Sequence, residues 1–224
     1  MTKLAIIHTT SATVETMKAL AAEMLPGSEL VNFVDDSILP QLGQNGGDLN
    51  QVEERLVHYA RFAEQVGADV ILEACSSVGE VVAKMQSTVS IPIVRIDEAM
   101  AEQAVQRGKR LGVAATLPTT LQPTTRLLQA KAQELGRQVE ITPLLIEGAY
   151  QKLMAGDRDG HDNLLVEKLG ELARTVDVAV LAQASMARVL PRLSATEQEK
   201  ILVSPRLAME RVKNVVASLS ISDK

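Results

Sequence analysis

A chain of 224 residues is long enough for one large α/β domain or for two small lobes, each with its own core. A net charge of −5 without any basic stripe argues against a nucleic-acid partner, and two Phe, two Tyr and no Trp argue against a lipid interface or a base-stacking surface. The single cysteine excludes an intrachain disulfide, no Cys/His grouping has zinc spacing, and no stretch reaches membrane-spanning length. The first residues also lack the apolar core of a signal peptide, so a cytoplasmic location is expected.

Taken in order, Leu4 to Ile7 reads as a strand and His8-Thr9-Thr10-Ser11 as the turn at its end. Thr13 is a candidate cap for a helix carrying Val14, Met17 and Leu20 at helical spacing. The hydroxyls of this turn suit either capping or a bound carboxylate. His8 reads as a satisfied histidine at a strand end or as a substrate-orienting group. Leu30 to Val34 is a second strand. The turn-rich run 35–47 reads as an irregular loop, offered as a lid. Leu49 to Val66 is an amphipathic helix whose Glu53-Glu54-Arg55 charges form a solvated face.

Val70 to Leu72 is short, apolar and rich in β-branching, as befits a strand buried on both faces. Cys75-Ser76-Ser77 breaks it, and a helical stretch begins near Gly79. Strand, polar turn, helix puts Cys75 at the carboxyl end of a strand, the edge where open α/β sheets bind ligands. An adjacent helix amino terminus favours anions and lowers a thiol pKa, so a thiolate beside a carboxylate is one reading. A small buried hydrophobe is the other. Ile91 to Ile96 is the next strand, with Arg95 either attracting an anion or standing exposed at the strand end. Ala99 to Gln106 is a helix.

From Arg110 the pattern starts again. Lys3-Leu4-Ala5-Ile6-Ile7 matches Arg110-Leu111-Gly112-Val113-Ala114 at an offset of 107 residues, and Asp69 to Ser77 matches Asp177 to Ser185 at an offset of 108. Ile93-Val94 matches Ile201-Leu202, again at 108. Thr116-Leu117-Pro118-Thr119-Thr120 repeats the hydroxyl-rich turn. Between these, Leu121 to Glu134 is a helix, Val139 to Ile146 a strand whose Pro143 implies an edge, and 155–162 a turn-rich loop with Asp162 as a helix cap. Leu164 to Arg174 is a helix, Lys200 to Val203 the last strand, and Arg206 to about Ser218 a closing helix. The expected architecture is α/β with two pseudo-symmetric lobes, each a mainly parallel sheet flanked by helices, and the active site in the cleft between them. The first lobe spans 1–98, with the closing helix within 206–224 packing back on it; the second spans 99–205. The repeat pairs Cys75 with Gln183, Ser77 with Ser185 and Thr9 with Thr116.

The segments Val70-Ile71-Leu72-Glu73-Ala74-Cys75-Ser76-Ser77-Val78-Gly79 and Val180-Leu181-Ala182-Gln183-Ala184-Ser185-Met186-Ala187 resemble the aspartate/glutamate/hydantoin racemase superfamily, with arylmalonate decarboxylase and maleate isomerase as relatives. That resemblance implies two α/β lobes, no metal or organic cofactor, and one cysteine per lobe to remove and return a proton α to a carboxylate. Cys75 matches the first-lobe cysteine. Gln183 stands where the second is expected, and an amide has no acid/base pKa for shuttling a proton. The residues matching the family's carboxylate-binding turns are Thr9, Thr10, Ser11, Ser76, Ser77, Thr116, Thr119 and Thr120, with Ser185 beside Gln183. The resemblance therefore implies a racemase-like isomerase with one thiol, acting on a small carboxylate or hydroxy-carbonyl compound and assembled as a homodimer or larger. A decarboxylase of a substituted malonate, or a non-catalytic small-molecule binding protein, are the alternatives.

Overall fold

The computed structural model describes residues 1–222. The chain forms two compact units, Met1–Ala99 together with the segment from Pro205 onward, and Met100–Ser204.

In the first unit, β1 (Lys3–His8), α1 (Val14–Met24), β2 (Glu29–Val34), α2 (Ile38–Gln44), α3 (Asn50–Gln65), β3 (Val70–Glu73), α4 (Val82–Gln86) and β4 (Ile93–Arg95) follow one another, and α5 (Glu98–Arg107) leads into the second unit. There β5 (Arg110–Ala115), α6 (Pro118–Glu134), β6 (Glu140–Leu145), α7 (Ala149–Met154), α8 (Arg158–Thr175), β7 (Val178–Leu181), α9 (Ala195–Lys200) and β8 (Ile201–Val203) precede α10 (Ser204–Ser222), which returns to the first unit. Each unit holds a four-stranded, all-parallel sheet, ordered β2-β1-β3-β4 and β6-β5-β7-β8.

The repeat read from the sequence is present down to strand register. Leu4 pairs with Val70 in one sheet and Leu111 with Val178 in the other; Ile71 pairs with Ile93 and Ala179 with Ile201. Even the turns before β3 and β7 correspond, because Asp69 accepts the Lys3 backbone N–H at 2.7 Å and Asp177 accepts that of Arg110 at 2.9 Å. Both aspartates tie the start of a central strand to the start of its neighbour.

Alternation along the strands explains why they read as continuous apolar runs. Ala5, Ile7 and Ile71 bury against Ile38, Leu42, Val52, Leu56 and Ala60 of α2 and α3 on one face. Leu4, Ile6, Val70 and Leu72 bury against Met17 of α1 and Ala208, Met209 and Val212 of α10 on the other. In the second unit Leu165, Leu169 and Leu172 of α8 pack on Ala114, Ala179 and Leu181. Gly112 makes that approach possible, since a Cβ there would lie 2.9 Å from Leu172 Cδ2.

Three local expectations are corrected. The run 35–47 is not an irregular loop: it contains α2, whose Pro40 falls in the first turn where a missing N–H is tolerated, and whose Ile38 and Leu42 are core residues one turn apart. Arg55 is not simply solvated; it donates to Asp35 at 2.9 Å, Ser37 at 2.8 Å and Gln41 at 2.5 Å, tying α3 to that helix. The cap of α8 is Asp157, which accepts from the Gly160 amide at 2.8 Å, so Asp162 lies inside the helix, bound to His161 and Arg188. Pro143 does sit on an edge strand.

Candidate active site

Both sheets are wound outward from their central strands, so the chain reverses direction between β1 and β3 and again between β5 and β7. In open α/β sheets the crevice at such a switch point, beyond the carboxyl ends of the strands, is where ligands bind. Thr9 and Cys75 stand immediately beyond β1 and β3; Thr116 and Gln183 stand beyond β5 and β7.

Cys75 has extended backbone and opens a 3-10 segment, Ser76–Val81, that leads into α4. The residue is half-buried: it packs against the core cluster of Ile7, Ile71 and Val78 but keeps some surface in solvent. The Thr9 hydroxyl and the amides of Ser77 and Val78 face the sulfur and favour thiolate. Burial and the nearby Glu73 carboxylate outweigh them and push the thiol up to about 11. The amino terminus after Cys75 therefore does not deliver the lowered thiol pKa expected from sequence. The two turns of 3-10 helix after Cys75 set two amides toward the sulfur, too little against desolvation beside an acid. At neutral pH Cys75 is a thiol.

Thr9 is 1% exposed, and its Oγ1 makes no well-aligned hydrogen bond among the described residues. Thr10 accepts from Ala12 N at 3.3 Å, capping the short turn at Ser11–Thr13; Ser11 is exposed. Thr13 does not cap α1. Its hydroxyl instead meets His8 Nδ1 at 2.9 Å, while Asn32 Oδ1 takes His8 Nε2 at 2.9 Å. His8 is thus wholly buried and satisfied on both nitrogens, and desolvation lowers its pKa. Ser76 and Ser77 are buried in the segment after Cys75.

In the second unit, Gln183 Oε1 accepts from both the backbone N–H of Thr116 at 2.6 Å and its hydroxyl at 2.9 Å. A backbone N–H can only donate, so the amide orientation is fixed: oxygen toward Thr116, NH2 outward as a donor. Thr119 is half-buried and Thr120 buried in the first turns of α6, and Ser185 is exposed. A surface hollow lined by Lys109, Arg110, Arg137 and Glu140 lies at the amino-terminal end of β5 and β6, away from Thr116 and Gln183.

Sequence reasoning missed a buried ionic cluster beneath Cys75. Glu73, the last residue of β3, is fully buried and its Oε1 accepts the Cys75 backbone N–H at 2.7 Å. Its register partner on β4 is Arg95. Arg95 is neither exposed nor open to an anion: its guanidinium is engaged by the fully buried Asp97, Nε to Oδ1 at 2.5 Å and NH2 to Oδ2 at 3.1 Å. The available signal was an acid ending an otherwise apolar buried strand.

A duplicated parallel α/β chain with thiol, hydroxyl and amide groups at its two switch points defines a class of small-molecule enzyme fold. The family model for Asp/Glu/hydantoin racemase matches residues 4–212, and the chain belongs to that family. Among solved structures it is similar to allantoin racemase from Klebsiella pneumoniae, at 18% identity and a TM-score of 0.70 over 97% of this chain and 88% of that one. A glutamate racemase from Bacillus anthracis gives 14% identity and a TM-score of 0.75 over 98% of this chain and 83% of that one. A mutant of arylmalonate decarboxylase in a sulfate-associated form gives 15% identity and 0.58 over 96% of this chain and 93% of that one. No curated protein matches the chain. No helix among the described residues is long and apolar enough to cross a membrane.

Proposed function

We propose that the protein is a cofactor-independent, racemase-like isomerase that uses a single thiol, Cys75, to transfer a proton at the carbon next to a carboxylate or carbonyl of a small substrate. The observation that carries this reading is the sulfur at the carboxyl end of β3, faced by the Thr9 hydroxyl and the Ser77 and Val78 amides. The second residue of the proposal is Gln183, beyond the end of β7. With its oxygen tied to Thr116, its NH2 donates to the oxygen that becomes negative as the planar enolate forms. The hydroxyls and amides of Thr9, Thr10, Ser11, Ser76, Ser77, Thr116, Thr119, Thr120 and Ser185 supply donors for the carboxylate. Because the second position is an amide, proton traffic is one-sided: Cys75 serves one face, and solvent or the substrate's own hydroxyl serves the other.

The test is hydrogen exchange at the carbon acid in deuterated water, with chiral analysis, over a panel of amino acids, hydroxy acids and hydroxy-carbonyl compounds. Exchange lost by a factor of at least about 100 in Cys75→Ser is the expected result, since a positioned acid/base contributes roughly 100- to 10,000-fold. Exchange that survives the substitution refutes the role.

One observation favours a second reading. A thiol held up to about 11 is a better proton donor than base at neutral pH. That suits quenching of an enediolate left by loss of carbon dioxide from a substituted malonate. Carbon dioxide release from such malonates to give a product of one hand, with Cys75→Ser losing the rate or that handedness, separates this lyase reading from the isomerase.

A further inference from the structure

We propose that Glu73 is a positioning residue for Cys75: its buried carboxyl pins the backbone at the root of the thiol, and the charge of that carboxyl, governed by the Arg95–Asp97 pair beside it, sets how much thiolate the site can hold. Three features of the first unit support this. Glu73 Oε1 takes the Cys75 amide at 2.7 Å, while Oε2 is buried with no hydrogen-bond partner among the described residues. The Arg95 guanidinium is already bidentate to Asp97, so the cluster holds two fully buried acids and one largely buried base. The arrangement is built closely, because Gly79 leaves room for Arg95 under the 3-10 segment that begins at Cys75; a Cβ at Gly79 would lie 2.2 Å from Arg95 Nε.

The groups facing Glu73 are Cys75 from its own strand end, Arg95 from β4 and Asp97 just after it; Glu80, in the 3-10 segment, acts on Arg95. Burial and the Asp97 charge raise the Glu73 carboxyl well above the usual carboxylate range. Two acids beside one guanidinium in a dry setting cannot both ionise without leaving a buried charge uncompensated, so burial and the Asp97 charge resist ionisation of Glu73 while the Arg95 guanidinium favours it. The proton of Glu73 and that of Cys75 are therefore linked: ionising either makes ionising the other harder. In a chain whose second position is Gln183, this carboxyl is the neighbour that tunes the one available thiol.

The inference deepens the role proposed for Cys75 and rests on it, but its test needs no substrate. Because Cys75 is the chain's only thiol, its alkylation by iodoacetamide against pH reports the thiolate directly. Glu73→Gln keeps an oxygen for the Cys75 amide and removes the ionisable group. The expected result is an alkylation profile displaced to lower pH by about one unit or more, seen as a roughly tenfold faster reaction at a fixed mildly alkaline pH. Glu73→Leu removes the amide's acceptor as well, and is expected to lower the melting temperature beyond that of Glu73→Gln. A profile of Glu73→Gln superimposable on the parent overturns the proposal, as does equal loss of stability in both variants. A displaced profile with no carbon-acid exchange on any substrate sustains this inference and sinks the isomerase reading instead.

Discussion

Gly79→Ala isolates the steric demand of the cluster beneath Cys75. Gly79 has no positive φ, so alanine introduces no backbone strain there, only a methyl group. That methyl would stand 2.2 Å from Arg95 Nε, 2.4 Å from Cζ and 2.7 Å from NH2, far inside van der Waals contact. A free arginine would swing aside at little cost. Arg95 cannot, because its side chain is 11% exposed and held by two hydrogen bonds to an Asp97 that is 0% exposed. Displacing it leaves Asp97 buried without its partner, a situation that costs about 3–5 kcal/mol. For a chain of this size that is a fall in melting temperature of roughly 6–20 °C. Thermal unfolding followed by circular dichroism measures it. In an Asp97→Asn background Arg95 is freed to move, and the same substitution should then cost about 1 kcal/mol or less, a non-additivity that marks the shared contact. A Gly79→Ala protein melting within about 2 °C of the parent refutes the packing argument.

Other outcomes follow from the same geometry. Thr116→Val removes one of the two donors on Gln183 Oε1 and leaves the backbone one, so activity should fall by roughly 2- to 10-fold, while Gln183→Ala, which removes the outward NH2, should cost roughly 10- to 1,000-fold in kcat; equal effects would show that the amide is not oriented by Thr116. Met209→Ala in α10 empties a fully buried site in the first unit's core and should lower stability by about 2–5 kcal/mol, read as a shift in the urea midpoint. Burial holds the His8 pKa below its usual 6.5, so the unfolded chain binds the extra proton first; this contribution to stability is complete above about pH 6.5 and declines as pH falls through that value toward the folded pKa. Urea titrations at about pH 7 and about pH 5.5 should show that decline in the parent and a smaller one in His8→Gln.

The parts of the fold legible in the sequence were those written in local pattern. Leu4 to Ile7 and Val70 to Leu72 announce strands buried on both faces, and their echoes 107 and 108 residues later announce a second sheet of the same winding. The turns after them placed Thr9, Cys75, Thr116 and Gln183 at strand ends without any knowledge of packing. What stayed hidden depends on contacts between distant segments. Arg95 reads as an exposed strand end until Asp97 and the gap above Gly79 are seen, and Arg55 reads as solvated until α2 is found beside it. The helix α2 was obscured because Pro40 is a helix breaker everywhere except the first turn. Thr13 passed for a cap because no local rule reveals that His8 claims its hydroxyl. The thiol's raised pKa was illegible for the same reason: the helix terminus is a sequence feature, but desolvation beside a carboxyl is a tertiary one.

The return of α10 also sets an order of events during synthesis. Ala208, Met209 and Val212 cover the face of the first sheet formed by Leu4, Ile6, Val70 and Leu72, yet they emerge from the ribosome after the whole of β5 to β8. The amino-terminal sheet must therefore wait with the part of that face not covered by α1 open, while the later-made unit has its strands contiguous in the chain.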